Sequence, residues 1–172
     1  MFKKILHNNF LKKEIVLLFF LYVTLLISFQ FGENSTGGAV LDYFNQKKIS
    51  ERFSLDFINT LLNYDDFSTR HSPILIIVLS FFEKFYISDF LIRIIHLHIC
   101  LLLPFFLFKC LEIKFTNMDK NIFLLFVSLI FLSPTFRSLS IWPDSRLSGL
   151  LIFTIGIFFY LKFLDQKNFI ML

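Results

Sequence analysis

Several kinds of chemistry are thinly represented in this sequence. Its two cysteines, Cys100 and Cys110, lie in one apolar stretch; as a helix rising roughly 1.5 Å per residue they stand about 15 Å apart, beyond disulfide reach. Neither has a second Cys or a His at metal-like spacing, so both read as small hydrophobes. Charged side chains make up only 17% of the 172 residues and the net charge is +4, too dilute for a nucleic-acid-binding stripe, so nucleic-acid partners are set aside. The sequence contains no Walker A glycine loop, Gly-x-Ser-x-Gly elbow, His-Glu-x-x-His or zinc-ribbon spacing. Phosphate-loop, serine-hydrolase and simple zinc chemistry therefore have no support.

What the sequence does have is apolar surface. Hydrophobic residues make up 56% and aromatics 19%, with 27 Phe against a single Trp. The mean hydropathy is +0.70. That exceeds what one soluble core of this length would bury, so the expected solvent is a lipid bilayer and the expected fold is all-α. About four transmembrane helices are expected in a single polytopic membrane domain over 1–172, with juxtamembrane helices in the first outer loop.

The first span, 15–31, is charge-free over about 25 Å and follows Lys3, Lys4, Lys12 and Lys13. Ser28-Phe29-Gln30-Phe31 lacks the small residues of a cleavage site, so an uncleaved anchor with a cytoplasmic N-terminus is expected. The polar stretch 32–72 reads as an outer loop. Within it Phe53, Phe57 and Leu61 recur at helical spacing, as in an amphipathic helix lying in the interface. Segment 73–87, at about 20 Å, is too short to cross and reads as a juxtamembrane helix. Spans 91–108, 121–136 and 147–164 follow. With this layout Lys109, Lys114, Lys120, Lys162 and Lys167 are cytoplasmic, as the positive-inside rule requires. Asp42, Asp65, Asp66, His71 and Asp144 then share the opposite face.

Arg137 and Arg146 flank Asp144 on that outer side, against the positive-inside bias. A guanidinium fork matches a pair of phosphate oxygens, which makes a lipid-phosphate contact one reason for them; pairing of Asp144 with Arg146 is the plain alternative. Arg93 is a further candidate phosphate contact near a helix end. His96 and His98, two residues apart, face different sides of a helix and do not suit a shared metal. Asp65-Asp66 with Asp42 is a candidate set for a divalent cation, set against a solvated acidic turn.

The order of motifs resembles the N-terminal core of the GT-C glycosyltransferases, polytopic enzymes that include protein O-mannosyltransferases and lipid A aminoarabinose transferases. The residues that carry the likeness are Gly37-Gly38-Ala39-Val40-Leu41-Asp42-Tyr43, Arg70-His71-Ser72-Pro73, Arg93, Ser133-Pro134 and Trp142-Pro143-Asp144. The resemblance implies inverting transfer of a sugar from a polyprenyl-phosphate donor on the non-cytoplasmic face, in a bacterial inner membrane. It implies Asp42 as the base for the acceptor hydroxyl, Asp144 as the acid of the second outer loop, and His71 beside the donor. Ser72 stands where a second Pro is common, and Tyr43 follows Asp42 where another acid is common. Members of that family have many more helices, so an N-terminal portion, a truncated product or one part of a split enzyme completed by helices of another chain is expected. The competing expectation is a small non-catalytic membrane protein or assembly subunit.

Overall fold

Serine followed by proline starts two of the helices that frame the molecule. Ser72 caps the helix begun by Pro73, its Oγ accepting from the Ile74 N–H at 3.4 Å, and Ser133 caps the helix begun by Pro134, accepting from Phe136 N–H at 3.3 Å. Proline suits the first helical turn because its missing N–H needs no partner there. A computed structural model describes residues 2–35, 37–69 and 71–170, with side chains for 16–35, 37–69 and 71–166. Thr36, Arg70 and the side chains of Lys3, Lys4, Lys12, Lys13 and Lys167 lie outside the described residues.

The described residues form α-helices and one short 3-10 turn, without strands. In chain order the helices are α1 (Phe2–Gln30), α2 (Ala39–Leu55), α3 (Phe57–Leu62), α4 (Pro73–Lys84), α5 (Asp89–Cys100), α6 (Leu102–Lys114), α7 (Lys120–Ile130), α8 (Pro134–Ile141) and α9 (Ser145–Ile170). The 3-10 turn is Tyr64–Phe67. The all-helical class holds. The span layout is coarser than the expected four. Two helical stretches are long and apolar enough to cross a membrane, Asp89–Lys114 and Ser145–Gln166.

The third expected span, 121–136, is not one straight helix. It breaks between α7 and α8, which meet at a 64° bend; taken together as one crossing they would bring the number to three. Pro134 cannot donate into α7, and Ser133 instead caps a new helix, which explains the break. The first expected span belongs to α1, whose described apolar part is Val16–Gln30. A smaller irregularity separates α5 from α6 at Leu101, where Pro104 has no N–H for the Cys100 carbonyl.

Two helix ends direct the chain toward the candidate site. Gly32, with φ of +62°, closes α1 in a Schellman turn: Glu33 N–H reaches the Ser28 carbonyl at 2.9 Å and Gly32 N–H reaches that of Phe29 at 3.0 Å. α4 ends in the same way, with Ile87 bonded back to Phe82 and Tyr86 to Glu83. There the left-handed position falls on Tyr86, at φ of +56°. The expected amphipathic helix through Phe53, Phe57 and Leu61 is instead two helices. Asp56 breaks the run and caps α3, accepting from Asn59 N–H at 3.1 Å.

Packing gathers these pieces around the loop between α8 and α9. The largest buried cluster joins Leu21, Leu25 and Phe29 of α1 to Leu97, Leu103, Leu139, Ile141, Leu147 and Leu151. A second cluster, Tyr43, Leu79 and Ile92 with Trp142 against it, ties α2, α4 and α5 to the same loop. α2 lies along α4, and Lys47 Nζ joins Asp89 at 2.5 Å and Glu83 at 3.6 Å.

Tyr86 is 95% exposed, so its side chain contributes little packing, while its left-handed backbone costs about 1–2 kcal/mol. Tyr86→Gly should therefore raise stability by about 1 kcal/mol once the greater chain entropy of glycine is subtracted, read as a higher unfolding midpoint in detergent. An unchanged or lower midpoint would contradict this account of the turn.

Candidate functional site

The site is built on the first turn of α9. Trp142-Pro143 ends α8, since Trp142 takes an extended backbone before proline, and Asp144 then starts the next helix as its N-cap. The Asp144 side chain is fully buried, at 0% exposure. Its Oδ1 accepts from the Arg146 backbone N–H at 2.7 Å and from Arg146 Nε at 2.9 Å, and its Oδ2 accepts from Arg146 Nη2 at 2.9 Å. A buried carboxylate without such partners would be strongly destabilising.

The same Nη2 donates to Asp42 Oδ2 at 2.6 Å. Asp42 stands in the first turn of α2, where the helix dipole favours an anion. Beside this bridge, His71 Nδ1 and Ser145 Oγ share a hydrogen bond of 2.8 Å, and the Tyr64 hydroxyl donates to the His71 carbonyl at 2.9 Å. Of the residues singled out from sequence, the fold thus brings Asp42, His71, Asp144 and Arg146 together.

Arg93 and Arg137 are placed near the loop but engaged elsewhere. The Arg93 guanidinium lies 3.6 Å from the Trp142 ring centroid and 4.9 Å from that of Phe29, and its Nε donates to the Ile141 carbonyl at 3.2 Å. Arg137 forms a fork on Glu33, with Nε 3.0 Å from Oε2 and Nη2 2.9 Å from the same oxygen, and also bonds Ser28. The Trp142 indole N–H donates to the Glu33 carbonyl at 3.1 Å. His96 is buried and donates from Nε2 to the Leu139 carbonyl at 3.1 Å, which joins α5 to α8.

Two grooves lie near the Arg146 bridge, one lined by Asp42 and the other by Arg146 itself. One, of about 590 Å³, is polar and is lined by Asp42, Asn45, Lys48, Arg52, Thr69 and His71 among others. The other, of about 460 Å³, is apolar and runs among Leu103, Leu107, Phe136, Leu139, Leu147 and Leu150, with Arg146 at its edge. The Arg146 side chain is 57% exposed and lines the apolar groove while paired to the two acids, one of which, Asp42, lines the polar groove.

Asp65 and Asp66 do not join Asp42. They sit on the 3-10 turn, and Asp66 lines a separate groove beyond Arg52 and Phe67. No group of three or more His, Cys, Asp or Glu among the described residues is arranged to hold a metal ion. Asp144 has both oxygens committed to Arg146, so the donor set does not fit a divalent cation. No protein-family model, curated protein or solved structure matches this chain.

Sequence reasoning missed Glu33 as the partner of Arg137 and Trp142 as the platform for Arg93. The first contact spans 104 residues and has no local signature. The cap had one: Pro143-Asp144 immediately before a long apolar run is a helix-start pattern.

Burial alone would push the Glu33 carboxyl up, but hydrogen bonds from Arg137, Ser35 and Ser28 more than offset this and hold it at about 2, against an ordinary 4.5. A depressed folded-state value contributes stability that is complete above pH 4.5 and is lost as pH falls toward 2. Stability followed by the fluorescence of Trp142, the single tryptophan, should therefore decline across that window. Glu33→Gln should flatten the decline, and an identical acid profile in the variant would refute the role given to the Arg137 fork.

Proposed function

We propose that the chain is an integral membrane glycosyltransferase that transfers a sugar from a polyprenyl-phosphate donor to an acceptor hydroxyl on the non-cytoplasmic face. The observation that supports this most is the position of Arg146, which lines an apolar groove and bonds both acids, one of them, Asp42, lining a polar groove. An amphiphilic donor with a phosphate between an isoprenoid tail and a sugar has the same order of parts. The tail would lie in the apolar groove and the phosphate on the Arg146 fork, where two N–H donors suit two phosphate oxygens.

The sugar and acceptor would then occupy the polar groove beside Asp42. The acceptor oxygen attacks the anomeric carbon as its proton passes to Asp42. The bond from that carbon to the phosphate oxygen breaks, its electron pair leaving with the phosphate held by Arg146. A base so placed contributes on the order of 10²–10⁴-fold. Asp144 acts through Arg146 by fixing the guanidinium, and His71 shapes the groove through Ser145. Arg93 and Arg137 hold the supporting loops and are not assigned to the donor.

A second reading is a non-catalytic membrane protein in which the same bridge only fastens α2 to α9. The full burial of Asp144 and the saturation of its oxygens by one arginine favour it. Asp42→Asn separates the two. In membranes supplied with every component of the transfer system, the enzyme reading expects labelled-sugar transfer to fall by about 10²-fold or more with membrane insertion intact. Transfer at the unaltered rate would leave only the fastening role.

A further inference from the structure

The polar groove beside Asp42 carries a charge pattern that transfer of a neutral sugar does not require. α2 turns two neighbouring lysines in different directions. Lys47 is committed to Asp89 and Glu83, at 2.5 Å and 3.6 Å. Lys48 lines the groove instead, as does Arg52 one turn further on. Among the described residues neither Lys48 nor Arg52 meets a carboxylate within ion-pair distance. The Arg52 guanidinium lies 5.5 Å from the Phe67 ring centroid, which restrains it while leaving its N–H donors free for a ligand.

Asp42, the acid that lines this groove among the described residues, is already paired with Arg146. The remaining wall combines Asn45, Ser68, Thr69 and His71, able to hydrogen-bond a polar ligand, with the apolar Ile49 and Phe67. Two cations thus line the groove against one acid, a surplus of one positive charge, although Arg52 also borders the neighbouring groove that holds Asp56 and Asp66. At 1.5 Å per residue, Lys48 stands roughly 9 Å and Arg52 roughly 15 Å along the axis of α2 from Asp42. On the proposed topology this is also the membrane face where the positive-inside bias disfavours unpaired cations. Pairing accounts for Lys47 and leaves Lys48 and Arg52 without a carboxylate partner among the described residues.

We propose that this groove binds an acceptor saccharide bearing an anionic group, a phosphate or carboxylate, held by Lys48 and Arg52 while its reacting hydroxyl faces Asp42. The word acceptor rests on the glycosyltransferase reading; the binding of an anionic saccharide does not. A bound phosphate monoester would gain charge-assisted hydrogen bonds from both cations, and a neutral sugar of the same size would not.

The whole chain in phosphatidylcholine nanodiscs, titrated with trehalose 6-phosphate and with trehalose, tests this directly. The phosphate ester should bind at least about tenfold more tightly, equivalent to about 1.4 kcal/mol, and added salt should narrow the gap. The Lys48→Gln/Arg52→Gln double variant should erase the preference with its helical circular dichroism unchanged, and Lys48→Gln alone should remove part of it. Equal affinity for the two probes, binding of neither, or a preference that survives the double variant overturns the proposal. Repeating the titration in phosphatidylglycerol nanodiscs distinguishes a saccharide from a lipid headgroup. If the anionic lipid displaces the sugar phosphate, the groove belongs to a headgroup and the acceptor assignment falls. Asp42→Asn keeps the two readings apart: lost transfer bears on the enzyme, and a retained probe preference bears on the groove.

Discussion

A carboxylate with no exposed surface fixes the geometry of the candidate site. Asp144 ends one loop, starts the longest described apolar helix after α1, and orients the arginine that reaches across to α2. These roles depend on each other. The buried charge is tolerable because a backbone N–H and two guanidinium nitrogens answer it, and Arg146 is held in place because Asp144 cannot turn away into water. Removing the carboxylate would at once uncap α9 and release the link to Asp42, so the loss would not divide cleanly into a helix part and a site part.

The loop that delivers Asp144 is held from the other side by cation and ring packing. Arg93 sits close to Trp142 and Phe29, so one guanidinium joins α5, the end of α8 and the end of α1. Gly32 then has a specific duty. Its left-handed turn sends the chain to Glu33, and a Cβ there would stand 3.5 Å from the Trp142 ring, an ordinary contact, so backbone conformation rather than space selects glycine. Glu33 receives Arg137 and its carbonyl receives the Trp142 indole. The extended Trp142-Pro143 step is thus surrounded before Asp144 is reached.

Much of this was legible in the sequence, but unevenly. The helical class followed from long apolar runs, and the caps at Ser72-Pro73 and Ser133-Pro134 are local patterns that one segment can express by itself. The Ser133-Pro134 pattern marks the bend within 121–136, but the expected span over that segment rests on apolar length, which does not register a bend. Arg93 and Arg137 read as surplus outer-face cations because a single sequence does not reveal that Ile141, Trp142 and Glu33 lie beside them. Asp42, Asp144 and Arg146 were grouped through the expected topology, which put both acidic loops on one side; that they touch depends on packing between segments about a hundred residues apart. His71 was grouped with them on the same ground, but its contact with Ser145 depends on the course of the chain from the 3-10 turn, which no periodicity encodes.

Arg146 also imposes an order on any chemistry proposed here. Its Nη2 is shared between Asp42 Oδ2 and Asp144 Oδ2, at 2.6 Å and 2.9 Å. A phosphate arriving at the guanidinium therefore competes with both carboxylates. The contest is unequal. Asp144 is buried and bound also through Nε and the backbone, whereas Asp42 holds Arg146 through one nitrogen at a partly exposed position. Phosphate would displace Asp42 first, and the oxygen that Arg146 leaves is the one an acceptor hydroxyl needs. In the reaction proposed above, donor phosphate would thus free Asp42 before the acceptor hydroxyl attacks.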